Sequence, residues 1–274
     1  MWLLNPYWYT AQYSAAVSNY LDQVIAADVA AGNLLGLEDG TKTAYATFID
    51  NLIVDGYLGV SGGTISQVSS VMKASPILAG ARTLAGALVP LVGTAPTNFN
   101  FVSGDYNRKT GLVGDGSTKY LNSNRNNAAD PQNSQHMCVY PTAVNTTDGD
   151  RVYMGTGFLE AGSTYFFTRT GDAAVRNRSA TADIALSRGV ANALIGTSRS
   201  ASAAFTYRRS GSSLSVGRPS QAPANGDVFV YRSNGFSQFS NARLAFYSIG
   251  ESLDLALLDV RVTTLINTFG ATIP

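Results

Sequence analysis

Gly104-Asp-Tyr-Asn-Arg-Lys-Thr-Gly-Leu-Val-Gly-Asp-Gly-Ser-Thr-Lys-Tyr-Leu-Asn-Ser-Asn-Arg125 is the stretch whose reading decides the fold. Gly111, Gly114 and Gly116 punctuate an apolar and polar alternation that ends in Tyr120 and Leu121, which predicts strand, tight turn, strand over Gly111 to Val113 and Thr118 to Leu121. Working outward, the same rhythm of short strands continues at His136 to Tyr140, Arg151 to Gly155, Thr164 to Thr170 and Ala173 to Asn177. It resumes at Ala193 to Ser198, Ala203 to Arg208, Ser213 to Gly217, Val228 to Ser233 and Arg243 to Ile249. Turn signals such as Arg209-Ser-Gly211 and Ser233-Asn-Gly235 separate the runs. This spacing predicts a mainly β protein, an antiparallel sandwich or jelly roll of two stacked sheets.

The chain has 274 residues, enough for one large β domain with an appendage. Charged residues are 14%, and the abundance of glycine suits turns and short strands rather than long helices or disorder. A net charge of +1 lacks the pronounced basic balance of a broad nucleic-acid surface, so no nucleic acid is expected. The charge is uneven. Residues 1–75 hold Lys42 and Lys73 against six acidic groups, −4, whereas the remainder carries 17 basic and 12 acidic groups, +5. With Cys138 as the one cysteine, an internal disulfide and a cysteine-rich zinc site are excluded. The N-terminus lacks the pattern of an export signal. Ile77 to Val92, the most apolar run, contains Arg82 and is shorter than the roughly 20 residues that span a bilayer, so no membrane insertion is expected.

Three regions are predicted. Residues 1–9 form an aromatic arm, with Trp2, Leu3, Leu4, Pro6, Tyr7 and Trp8 as anchoring residues that pack either on a partner or on the chain's own domain. Residues 10–75 form a helical module: Ala15 to Ala31 with Ser14 as N-cap, Thr43 to Asp55 ended by Gly56, and a third helix from Thr64 to Ala74. Residues 76–274 form the sandwich. A C-terminal helix, Ser252 to Phe269, is capped by Ser252 and turns Leu253, Leu257, Val260 and Phe269 inward, covering an edge or an end of the sheets.

Candidate chemistry is sparse. His136 and Cys138 share a strand face but lack a third, orienting group, and they read as a satisfied histidine and a buried thiol. The glutamates after residue 76, Glu160 and Glu251, do not form the close carboxylate pair of a glycosidase. Gly116 is followed by Ser117 where a phosphate loop needs lysine. Asp148-Gly-Asp150 lacks the further ligands of a calcium loop and reads as a turn. No catalytic residue, metal or cofactor is therefore expected. Carbohydrate recognition needs aromatic faces with amide or guanidinium groups on loops, and Tyr106, Arg108, Asn122, Asn124 and Arg125, with Asn107 and Asn126 beside them, supply those groups.

The line Gly111-Leu-Val-Gly-Asp-Gly-Ser-Thr-Lys-Tyr-Leu121, with Arg243-Leu-Ala-Phe-Tyr-Ser-Ile-Gly-Glu-Ser-Leu253 downstream, resembles the opening and closing lines of the concanavalin A or laminin-G type jelly roll in structural proteins of tailed bacteriophages. The resemblance spans roughly Ala74 to Phe269, and Ile49-Asp-Asn-Leu-Ile-Val-Asp-Gly56 is similar to helices that precede this jelly roll. It implies a non-enzymatic virion component on the particle surface, assembled in the bacterial cytoplasm. Within that class it implies a tail-associated fibre or adhesin with a lectin-like domain contacting host surface polysaccharide, or alternatively a capsid decoration or cement protein. The partners expected are other virion proteins through the arm and further copies of the chain, in a trimer. The shared lines are turns and core strands, so the resemblance carries no ligand residue with it.

Overall fold

The computed structural model describes residues 13–145, 149–157 and 160–274, and the aromatic arm with Trp2, Leu3, Leu4, Pro6, Tyr7 and Trp8 lies outside them. The chain opens with helices α1, Ala15–Ala30, and α2, Asp39–Val54, then strands β1, Gly59–Ser61, β2, Thr64–Ser66, and β3, Met72–Pro76. A one-turn helix α3, Leu84–Ala87, precedes β4, Pro90–Val92, β5, Thr97–Phe99, β6, Tyr106–Asn107, β7, Gly111–Val113, and β8, Tyr120–Asn126. There follow β9, Gln135–Ala143, β10, Arg151–Thr156, β11, Thr164–Thr168, β12, Ala173–Asn177, β13, Asp183–Leu186, and β14, Ile195–Arg199. The last elements are β15, Phe205–Arg209, β16, Ser212–Val216, β17, Asp227–Val230, β18, Ser233–Asn234, β19, Arg243–Gly250, and helix α4, Leu255–Thr272.

Two sheets form the predicted sandwich. One runs β16-β15-β14-β9-β19-β3-β4, with β7 joined to β19 and β6 to β7. The other runs β13-β12-β11-β10-β17-β8-β5, with the short β18 parallel to β10. Between them lies a core that includes Leu121, Met137, Val139, Phe166, Val230 and Tyr247. The helices make a third layer on the outer face of the first sheet. In β9, Met137 and Val139 enter the inter-sheet core while Cys138 and Tyr140 enter the helix-side core. Phe246 of β19 meets Phe48 of α2 edge to face at 5.9 Å, and Tyr45 of α2 meets Phe269 of α4 at 4.9 Å. Strands buried on both faces read as unbroken apolar runs, as Met137 to Tyr140 and Leu244 to Tyr247 do.

The predicted caps and faces are partly corrected. Ser14 caps α1, its hydroxyl accepting from the Val17 N–H at 3.4 Å. The helix expected from Thr64 to Ala74 does not form. Ser61 and Thr64 instead flank a hairpin turn whose Gly62 and Gly63 both have positive φ, 57° and 77°, which suits the twist of a two-residue connection. Met72–Pro76 then joins the large sheet beside β19. Asp254, not Ser252, caps α4, accepting from the N–H groups of Ala256 and Leu257 at 2.7 and 3.3 Å. The helix therefore buries Leu255, Leu258, Val262, Leu265, Ile266 and Phe269 against the sheet face, and Val260 is 57% exposed. Buried Asp259 fastens α4 to the sandwich by accepting from the Leu194 N–H and from Arg208 Nε and Nη2 at 2.8, 3.1 and 2.8 Å. Among the described residues, no helix is long and apolar enough to cross a membrane.

The deciding stretch also differs from its reading. β7 and β8 do not pair with each other: β7 belongs to the helix-covered sheet and β8 to the other one. The expected hairpin is a crossing between sheets, held by Asp115, whose carboxylate accepts from the N–H groups of Ser117, Thr118 and Lys119 at 2.8–3.0 Å. Although burial alone would raise it, the hydrogen bonds from Thr118 and the neighbouring backbone hold that carboxyl well below the usual range. Gly111 is required there: its φ is 93°, and a Cβ would run into the Leu244 carbonyl.

Candidate functional site

The second sheet carries no helices, and its outer face around β5, β8 and β17 is the most chemically distinctive surface among the described residues. Strand alternation builds it. Leu121 and Ser123 of β8 and Val228 and Val230 of β17 are buried, so Tyr120, Asn122 and Phe229 stand on the opposite side. Antiparallel register places Phe99 beside Tyr120 and Phe229 beside Asn122. The Phe99 and Tyr120 rings stack at 4.3 Å with an interplanar angle of 4°, and Tyr120 lies 5.1 Å from Phe229 and 6.2 Å from Phe239.

Arg232 completes the group, with its Cζ 4.9 Å from the Tyr120 ring centre, 5.0 Å from Phe239 and 5.6 Å from Phe229. It reaches this side because Tyr231 breaks the alternation. Tyr231 is fully buried with a φ of 72°, its hydroxyl donating to the Leu112 carbonyl at 2.5 Å and its N–H to the Tyr153 carbonyl at 2.7 Å. Left-handed backbone at a non-glycine residue costs on the order of 1 kcal/mol or more and persists only where its surroundings fix it. The result is a half-exposed platform of four rings and one guanidinium, rimmed by Asn122, whose Nδ2 donates to Asp227 at 3.1 Å. Aromatic faces are electron-rich and attract the polarised C–H faces of sugar rings, and the guanidinium supplies directional donors.

Of the residues expected to contact sugar, Asn122 borders this platform. Tyr106 and Arg108 lie elsewhere, beneath the helical layer, and are engaged there. The Tyr106 hydroxyl donates to the Ala81 carbonyl at 2.8 Å, and Arg108 forks onto Glu38 at 2.9 and 2.7 Å while also donating to Ala81 and Gly80. The Arg108 hydrogen bonds lower the Glu38 carboxyl to about 2. Arg108 clamps the start of α2 to the sandwich, Tyr106 is tied to the segment before α3, and both are committed to the fold. Asn124, with a φ of 54°, donates to the Ala95 carbonyl at 2.8 Å and to Thr97 at 3.0 Å, and it shapes the end of β8. Arg125 pairs with Asp130, away from the rings. Phe99, Phe229, Arg232 and Phe239 escaped sequence reasoning because pairing across as many as 140 residues assembles them; only the unusual aromatic content of Val228 to Tyr231 hinted at it.

His136 and Cys138 offer no reactive pair. Both are fully buried. His136 Nδ1 donates to the Glu251 carbonyl at 2.5 Å, since a carbonyl can only accept, and Nε2 therefore accepts from the Ser248 hydroxyl at 2.7 Å. Burial lowers the imidazole to about 4, and burial pushes the Cys138 thiol up, away from thiolate. Glu251 pairs with Lys73 at 3.0 Å.

No family model matches the sequence, and no curated protein sequence matches it significantly. Among solved structures, the chain is similar to the botulinum neurotoxin serotype D binding domain, at 9% identity and a TM-score of 0.49, over 71% of this chain and 51% of that one. It is also similar to a mutant of Trypanosoma rangeli sialidase displaying trans-sialidase activity, at 13% identity and a TM-score of 0.47, over 72% of this chain and 33% of that one. A Trypanosoma rangeli sialidase in complex with sialic acid gives 11% identity and a TM-score of 0.45, over 85% and 38%. The chain thus spans about half the length of the first and a third of the second. The sandwich itself is established by the strand pairing described above.

Proposed function

We propose that this chain is a non-enzymatic structural component of a tailed-phage virion, a tail-associated fibre or adhesin whose sandwich contacts glycans on the host surface. The observation that carries the binding role is the ring and guanidinium platform of Phe99, Tyr120, Phe229, Phe239 and Arg232 on the helix-free sheet. The phage setting rests on the resemblance of Gly111 to Leu121 and Arg243 to Leu253, and the arm with Trp2 and Trp8 would anchor the chain, as a trimer, to other virion proteins. The sealed states of His136 and Cys138 support a binding rather than a catalytic reading.

The test is adsorption. Particles carrying Tyr120→Ala should assemble normally but lose most binding to host cells, and the purified variant should lose binding to host envelope polysaccharide. Unchanged adsorption would sink the adhesin reading. It would favour capsid decoration instead, for which the exposed Leu34 and Leu35 between α1 and α2 offer apolar contact to a neighbouring subunit.

A further inference from the structure

The state of Arg232 narrows the ligand class. Its guanidinium lies among three rings and is only partly exposed. Nε donates to the Ser233 carbonyl at 3.2 Å; among the described residues Nη1 and Nη2 have no protein acceptor and the side chain forms no ion pair. This contrasts with three arginines that hold helices in place. Arg108 forks onto Glu38, Arg208 onto Asp259 and Arg261 onto Asp55, each with a carboxylate within 3.1 Å. The acids around the platform are already engaged: Asp105 with Lys119, Asp115 with the N–H groups of its own turn, and Asp227 with Asn122.

Resting on the glycan reading above, we infer that the platform selects sugars bearing a carboxylate, uronic-acid type residues, with a pyranose ring laid against the Phe99 and Tyr120 pair and its carboxylate on the free fork of Arg232. The chemistry is complementary in both halves. A planar guanidinium matches a carboxylate through two parallel N–H bonds, and three rings hold that plane in place before the ligand arrives. Rings that exclude water also strengthen the charge interaction compared with a fully solvated arginine. The stacked rings set the requirement for a sugar ring, and the fork sets the requirement for the charge.

Calorimetric titration tests this with oligogalacturonate, alginate oligomers and hyaluronan fragments, each beside its carboxyl-reduced counterpart. At least one acidic probe should bind, and carboxyl reduction should weaken it tenfold or more. Arg232→Gln should produce a similar loss for the acidic probe and a much smaller one for the reduced probe. Arg232→Lys, which keeps the charge but not the fork, should fall between. Thermal melting of each variant within a few degrees of the parent excludes a folding defect, and binding by Arg232→Lys keeps the test decisive if Arg232→Gln fails to fold.

Equal binding of acidic and reduced probes would overturn the carboxylate inference and leave the glycan reading standing. Failure of every saccharide would overturn both. Tighter binding of an oligo-thymidine, lost in Tyr120→Ala, would reassign the rings to base stacking. A drop in solution mass on Tyr120→Ala would mark the platform as a contact between copies and overturn the proposal.

Discussion

The two sheets of this sandwich have the same strand chemistry and opposite fates. The sheet centred on β9 and β19 is buried on both faces, by the opposing sheet on one side and by α1, α2 and α4 on the other. The other sheet is buried on both faces at β10 to β12, but along β5, β8 and β17 it leaves Tyr120, Asn122 and Phe229 partly open. On the covered sheet His136 is locked to Ser248 and Glu251, and Arg208 to Asp259. Beside the open platform, Arg232 keeps two guanidinium nitrogens without a protein acceptor among the described residues. A side chain's type does not make it a binding group; an unused bonding capacity on an open face does.

The contrast can be broken in three ways. Phe246→Ala, at the centre of the covered side, should lower stability by about 4 kcal/mol in denaturant unfolding, because a large buried ring leaves a cavity between sheet and helices. Acid should act on the same side. His136 is held down at about 4 in the folded chain and returns to 6.5 when unfolded, so protonation favours unfolding. Its stabilisation is complete above pH 6.5 and is lost as pH falls toward 4, amounting to about 3 kcal/mol over that window. His136→Asn should flatten this part of the stability profile measured by urea titration at each pH. Tyr120→Ala, on the open side, should cost only about 1 kcal/mol in the same assay, the worth of an aromatic contact at a solvated face. A loss as large as that of Phe246→Ala would erase the distinction between the sheets.

Much of the sandwich was readable because local chemistry and tertiary structure agree. Ala173 to Asn177 was placed to the residue, and the strands at Gly111, Arg151 and Arg243 begin where their patterns begin. The helical period of Ile65, Val68, Val71 and Met72 misled because Gly62-Gly63 and pairing to β19 overrode it. At α4 the reading lost register because both Ser252 and Asp254 can cap a helix, and only the packed face distinguishes them. The candidate site was less legible. Tyr106 and Arg108 have the composition of a sugar contact, yet Glu38, 70 residues away from Arg108, had already claimed the guanidinium. Asn122 was reachable from the alternation of β8, whereas the ring from Phe99 and the guanidinium of Arg232 needed the pairing of three distant strands.

The place of β19 between β9 and β3 also sets an order of events for a growing chain. Met72–Pro76 finds its neighbour only when residues near Gly250 exist, and β7 likewise waits for Arg243 and Leu244. Until then β9 has an unpaired edge, and the apolar faces of α1 and α2 lack both Phe246 and α4. Contacts so distant in sequence form slowly, and the incomplete intermediate exposes strand edges that invite pairing with other chains. A chain halted before Arg243 therefore carries open strand edges, and β19 acts as the clasp that closes them.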